Sequence, residues 1–268
     1  MGIKMSLLDD FLNQLNIPEK CKVDKTVFKK LFEQENDGHK NILDAKDREC
    51  LKKDISKITW LYSFKPSTIN IPAYQNEIRE YLEVAVLLVE VEDKKHIQRI
   101  QQFFNRCIPY PLVILFYFEN EDMDCLSFGV IHKRTNQSDK EKWVLEESII
   151  SPWLNLAQLS VVEQKFLDSM KLSQLSFQSF YHFYDSIKER LIALKCAGYS
   201  GSFKLSLQSD HLSTESRASA LKNLIELEKR QVEISNKLKK EKQLGRQVEL
   251  NVQLHKLKDE IQTIIRRI

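Results

Sequence analysis

The sequence predicts an α/β (α+β) protein, with a small mixed sheet flanked by helices and a C-terminal helical coiled coil or hairpin. Three observations predict it. Residues 82–118 read LEVAVLLVEVEDKKHIQRIQQFFNRCIPYPLVILFYF, an apolar run, an amphipathic run and a second apolar run, which is the pattern of strand, helix and strand. Short aromatic and β-branched runs, broken by Pro and polar turns, lie on either side of it. Beyond residue 212 the chain changes to helix-forming residues, with Leu and Ile at alternating three- and four-residue steps.

Ser6 followed by Asp9 is a capping pair for a short helix that ends before Pro18. Asp24 is placed to cap a second helix, with Val27, Phe28, Leu31 and Phe32 on one face, and Asn36-Asp37-Gly38 breaks it. A third helix is expected over 44–56. Ile58–Phe64 reads as a strand, and Thr68–Ile71 as a short extended piece between Pro66 and Pro72. Val84–Val91, almost unbroken Val and Leu and too short for a bilayer, reads as a buried strand. In Lys94–Cys107 the period becomes helical, with Ile97, Ile100, Phe103, Phe104 and Cys107 on one face, until Pro109 and Pro111 stop the helix. Leu112–Phe118, Leu126–His132 and Trp143–Ile150 are further strands, the last two separated by a polar loop over 135–142. Two helices follow, Ser160–Lys171 and Ser176–Lys195. The second has a broad face of Phe177, Phe180, Tyr181, Phe183, Tyr184, Ile187, Leu191 and Leu194, a stripe that reads as core packing.

The expected organisation is therefore N-terminal helices packing on the core (1–57), a sheet core (58–150), a helical extension (151–198), a Gly/Ser-containing linker (199–212) and a coiled coil or hairpin (213–268). In the tail, Leu224, Leu227, Ile234 and Leu238 form one seam, interrupted by Gln231. Leu250, Leu254, Leu257, Ile261, Ile264 and Ile268 form a second, cleaner one, the candidate oligomer or partner seam. The two do not join. Continuing the first leads to Val248 and Val252, two residues out of step, which turns the stripe by about 200°. With Gly245 in the gap, either a kink or hairpin near Leu244-Gly245-Arg246 or a continuous helix using both faces is expected.

The chain has 268 residues and a net charge of +3. Residues 213–268 hold 13 Lys/Arg against 8 Asp/Glu, a net of +5, and the remainder 28 against 30, a net of −2. The basic excess belongs to the tail. No run approaches the ~20 apolar residues of a membrane helix. Asp9 and Asp10 interrupt the apolar start as no secretory signal would. Five widely spaced cysteines without a Cys-x-x-Cys pair read as reduced thiols. A cytoplasmic protein without a membrane partner is expected.

Glycine is too scarce for a P-loop or a dinucleotide fingerprint, no Gly-x-Ser-x-Gly elbow is present, and the six histidines show no His-x-x-x-His spacing, so no cofactor or metal is expected. One catalytic pattern survives. The order helix, strand, short strand, strand, helix, strand over 44–118 resembles the core of restriction-endonuclease-like nucleases. In those enzymes an acid on the second strand and a Glu-x-Lys on the third hold Mg²⁺ and position water. Glu92-Asp93-Lys94, with Glu90 nearby, has that spacing, but Pro66–Ile71 has no carboxylate, and the alternative is a charged strand exit leading to a helix. A second candidate is the basic set Lys239, Lys240, Lys242 and Arg246, with neighbouring Lys237, and Arg266 and Arg267. It would meet DNA or RNA phosphates or form a solvated flank of the coiled coil.

Several strings resemble a bacterial family of unknown function. They are Ile58-Thr59-Trp60, Pro66-Ser67-Thr68-Ile69-Asn70-Ile71, the strand over 84–91, and Ile108-Pro109-Tyr110-Pro111 leading into Leu112–Phe118. The most specific is Glu241-Lys242-Gln243-Leu244-Gly245-Arg246-Gln247-Val248-Glu249-Leu250-Asn251. The resemblance runs from Ile58 onward, more loosely from Val27. Such proteins are encoded beside helicases, DNA methyltransferases and restriction-type genes in phage-defence regions. The resemblance thus implies a defence context and transfers no catalytic residue. The expected function is an accessory or scaffold subunit that docks a larger ATPase, helicase or effector, with C-terminal helices that form homo- or hetero-oligomers or touch nucleic acid. The alternatives are a divergent Mg²⁺-dependent nuclease using Glu90, Glu92 and Lys94, and a nucleic-acid-binding module.

Overall fold

Strands β1 (Lys22–Thr26), β2 (Ile55–Phe64), β3 (Tyr74–Gln75), β4 (Glu80–Tyr81), β5 (Val84–Val91), β6 (Leu112–Glu119), β7 (Asp124–Asn136), β8 (Asp139–Ile150) and β9 (Leu154–Asn155) alternate with nine α-helices among the described residues. The structure, a computed structural model, describes residues 6–33, 42–121, 123–136, 139–205 and 214–268. The main sheet has the order β1-β2-β5-β6-β7-β8, with β9 added to β7, while β3 and β4 pair separately. Only β5 and β6 run parallel, as a strand–helix–strand crossover requires. The sheet is mixed and flanked by helices, as its sequence indicates. The chain divides into two units, Met1–Leu191 and Ile192–Ile268.

In the first unit, α1 (Leu7–Gln14) begins at a reciprocal capping box between Ser6 and Asp9. After the short α2 (Lys30–Glu33), α3 (Ala45–Lys53) begins at the same device between Asp44 and Asp47. α4 (Pro66–Ile69) is a single turn, α5 (Ile97–Cys107) is the β5–β6 crossover, and α6 (Val161–Ser169) starts at a Ser160–Glu163 capping box. Every residue of β5 except Glu90 is buried, which is why the strand reads as an unbroken apolar run. On one sheet face Leu87, Val89, Ile114 and Phe116 pack against Leu51 of α3 and Ile100, Phe103 and Phe104 of α5. On the other, Val86, Val113, Leu115 and Phe128 share a void of about 40 Å³ with Leu15, Met170, Phe183 and Ile187. α5 sits tightly on β7: a Cβ at Gly129 would come 2.8 Å from Gln101 Nε2 and 3.1 Å from the Phe116 ring.

Several sequence expectations change. Asp24 does not cap a helix. It lies in β1 at φ +46°, where the register against β2 slips between Lys22 and Lys25, and an Asp tolerates that left-handed bulge. Only Val27 and Phe32 of the expected apolar face pack on the core, while Phe28 and Leu31 are exposed. The extended piece over 68–71 is instead α4 and its exit, since Pro66 is well placed in a first helical turn and Asn70 ends the turn at φ +55°. That removes the second strand from the nuclease-like order. The polar stretch over 135–142 is mostly strand, because β7 and β8 pair out to Asn136 and Asp139. Residues 137 and 138, like the Asn36-Asp37-Gly38 break, lie outside the described residues.

α7 (Phe180–Ser200) runs through the first part of the expected linker and the unit division falls within it, at Leu191/Ile192. Gly198 costs the helix about 1 kcal/mol against Ala but does not end it. Of the linker, 206–212 lies outside the described residues. In the second unit α8 (Thr214–Lys240) and α9 (Leu244–Ile265) pack on each other as a helical hairpin. The break comes at Glu241–Gln243, slightly before the expected Gly245, which sits in the first turn of α9. Its cause is Glu241, whose Oε1 accepts from the amides of Lys242 (2.8 Å) and Gln243 (2.9 Å) while its carbonyl accepts from Gln247 Nε2 (2.7 Å). The glutamate thus ties down the connecting turn, while the N-cap position of α9, Gln243, has no side-chain cap.

Candidate functional site

The strand exit after β5 carries the catalytic pattern legible in the sequence. Glu90 projects from β5 and pairs with Lys57 of β2, 3.4 Å from Nζ, while its carbonyl accepts from Ser56 Oγ at 3.0 Å. Glu92 is exposed, and its amide donates to Asp54 O at 2.9 Å. Lys94 turns elsewhere. Its Nζ lies 3.2 Å from Cys125 Sγ, 4.9 Å from the Phe118 ring centre and 5.6 Å from that of Trp153, a cation held by aromatic faces. Glu90 and Lys94 are therefore held by different partners, Lys57 on one side and the Phe118–Trp153 pair on the other.

Two deeply buried titratable groups of the first unit lie on β7. His132 is 3 % exposed; its Nδ1 meets Tyr81 Oη of β4 and its Nε2 lies 3.1 Å from Asp185 Oδ1 of α7. Burial holds the imidazole below its usual range. Burial works against the Asp185 carboxylate, but its hydrogen bond to His132, together with the charges of His132, Lys188 and His182, leaves its pKa below the ordinary value. Tyr81 is fully buried, and burial raises its phenol. The trio gives no sequence signal because its members are far apart in the chain, and with Tyr81 sealed from solvent it acts as a strut between strands and helix. The neighbouring Lys133 is 2 % exposed and donates from Nζ to the carbonyls of Ile108 (2.5 Å) and Tyr110 (2.8 Å), with burial pulling its amine down to about 7. It pins the corner after α5, where Pro109 and Pro111 leave carbonyls without helical partners.

A further exposed surface is the α8–α9 hairpin. Leu224 and Ile234 of α8 and Leu257 and Ile261 of α9 are buried, and Leu250, Leu254, Ile264 and Ile268 are half-buried. Both predicted seams thus face inward, and the hairpin closes the second seam within the chain. What the sequence did not single out as a site is the opposite stripe. Leu244, Val248 and Val252, four residues apart on α9, are 79 %, 56 % and 50 % exposed. Val232 of α8 is 59 % exposed. The signal was there, since Val248 and Val252 are the positions reached by continuing the first seam.

Of the basic residues, the structure brings Lys240 and Arg246 together with Lys237 around a cleft of about 370 Å³ at the hairpin bend, where Glu241 and Glu249 also line the wall. Lys239 and Lys242 are exposed nearby in the chain but outside that lining. Arg266 and Arg267, both exposed, lie at the far end of α9, about 30 Å from Arg246 at 1.5 Å per residue.

Fold and surface together define a mixed-sheet α/β protein that ends in a helical hairpin with an uncovered apolar stripe. The family described as a domain of unknown function, DUF4391, matches residues 15–261, and the chain belongs to it. No curated protein and no solved structure matches the chain.

Proposed function

We propose that the protein is a binding subunit of a bacterial anti-phage defence complex, and that the outer face of its helical hairpin docks a larger ATPase, helicase or effector in the cytoplasm. The observation that carries this reading is the stripe Leu244, Val248 and Val252. An apolar row at i, i+4 and i+8, at least half exposed beside a seam the hairpin already satisfies, has the form of a helix that lies in a partner's groove. Lys256, Lys258 and Arg266 are exposed along the same helix together with Glu249, Asp259 and Glu260, so the matching groove is apolar with a rim of mixed charge. The defence setting comes from the family resemblance carried by 241–251, the segment that contains the start of this stripe. Among the described residues no helix is long and apolar enough to cross a membrane.

The test uses the full-length chain with Leu244→Ser, Val248→Ser and Val252→Ser combined, co-expressed with the products of adjacent genes. Loss of co-purification with helicity retained supports the reading, and unchanged co-purification sinks it. A nucleic-acid role is favoured by one feature, the cations Lys237, Lys240 and Arg246 around the bend. Its signature is binding that weakens steeply with salt and falls on Lys240→Gln with Arg246→Gln.

A further inference from the structure

We propose that Cys50, Asp54 and His96 form a three-ligand site for a zinc-class divalent ion at the junction of α3 and α5. Cys50 lies in the last turn of α3, Asp54 caps that helix one turn later, and His96 is the residue from which α5 starts. Cys50 Sγ, a carboxylate oxygen of Asp54 and a ring nitrogen of His96 all lie within 4.8 Å of one another. His96 Nδ1 already sits 2.9 Å from Asp54 Oδ2. Ligands about 2.0–2.3 Å from a tetrahedral zinc stand roughly 3.3–3.8 Å from each other, so side-chain adjustments of about 1 Å close the site.

Backbone hydrogen bonds hold the three in place independently of any ion. Asp54 N donates to Cys50 O (2.9 Å), Asp54 O accepts from Glu92 N (2.9 Å), and His96 O accepts from Ile100 N (3.0 Å). The surroundings favour a cation. Glu49 and Asp93, each held by a lysine, at 2.8 Å from Lys53 and 2.9 Å from Lys95, both interact electrostatically with His96.

The donor set selects the metal. Thiolate, imidazole and carboxylate together suit zinc and its borderline neighbours, whereas Mg²⁺ and Ca²⁺ take oxygen ligands. Without an ion the Cys50 thiol is pushed up to about 11 by burial and by Asp54, so it carries a proton that metal binding expels to solvent. Cys50 is buried while the His96 side chain is 55 % exposed, which leaves the outer side of the site open for one water. The spacing Cys50-x-x-x-Asp54 puts both donors on one helical face; the third comes from 42 residues away, so no linear metal pattern appears in the sequence.

The experiment titrates the full-length chain with zinc against a chromophoric chelator and records the thermal shift in parallel, for wild type, Cys50→Ala, His96→Gln and the control Cys125→Ser. Expected are one zinc per chain and a raised melting temperature in wild type and control. Both ligand variants should lose more than about tenfold in affinity, because even outer-shell partners cost that much. Cobalt(II) in place of zinc should give a thiolate charge-transfer band in the control that Cys50→Ala abolishes. His96→Gln, a change at an exposed ring, guards against misfolding as the cause of loss. Failure of the wild type to bind zinc stoichiometrically, or wild-type affinity in either ligand variant, overturns the site. Neither result bears on the hairpin stripe.

Discussion

At the scale of single residues, the groups that matter most are polar ones placed where the chain has no other way to satisfy its backbone. Lys133 is the clearest. Burial lowers its amine to about 7, whereas an unfolded lysine titrates near 10.4, so the unfolded chain holds the extra proton between those values. Stability therefore rises with pH across that window, by at most about 1.4 kcal/mol per pH unit for one proton, and the penalty is fully present below pH 7. Chemical denaturation at pH 7, 8 and 9 should show this rise in wild type and a flatter dependence in Lys133→Met; parallel curves would refute it. Asp47, 1 % exposed, serves both its capping box with Asp44 and the guanidinium groups of Arg99 and Arg106. Arg99 Nε lies 2.9 Å from Oδ1 without hydrogen-bond alignment, so this contact is an ion pair only. Asp47→Ala should cost about 2–3 kcal/mol in urea unfolding, below the full value of a buried pair because both arginines reach solvent. A loss under about 0.5 kcal/mol would place Asp47 among ordinary surface charges.

At the scale of elements, the hairpin bend is set by Glu241 and not by glycine. Gly245 sits inside α9 with nothing within 4 Å of an added Cβ, so Gly245→Ala should stabilise the helix by about 0.5–1 kcal/mol and leave assembly unchanged. A drop in melting temperature would mean that the turn needs Gly245 after all. The elements that were legible share a physical cause. The Val84–Val91 strand, the crossover helix and Leu112–Phe118 are read from burial alone, and the capped starts of α1, α3 and α6 are written in two residues each. The misreadings arise where local pattern and tertiary pairing compete. Lys22–Thr26 has no buried residue, so only its hydrogen bonds to β2 make it a strand. Around Pro66 a helical turn and an extended piece have the same composition, and nothing local separates them. Spacing also leaves directions open: at the strand exit Lys57 draws Glu90 and the Phe118–Trp153 pair draws Lys94, which no local pattern announces.

At the scale of the whole molecule, the second unit spends its strongest apolar pattern on its own closure and keeps a weaker one outside. Leu224, Ile234, Leu257 and Ile261 are buried in it, whereas Leu244, Val248 and Val252 contribute little to a folded monomer. That asymmetry separates stability from assembly: polar replacements on the outer stripe should stay within about ±0.5 kcal/mol of wild type, while replacements in the seam should unfold the hairpin at a cost of about 2–5 kcal/mol. In the proposed function the outer stripe exists for a partner. It is tested by light scattering during size-exclusion of the full-length chain mixed with its proposed ATPase, helicase or effector partner, with and without the triple serine substitution. A joint peak in wild type that resolves into two components in the variant, at unchanged melting temperature, is the expected result; a joint peak of the same mass in both contradicts it.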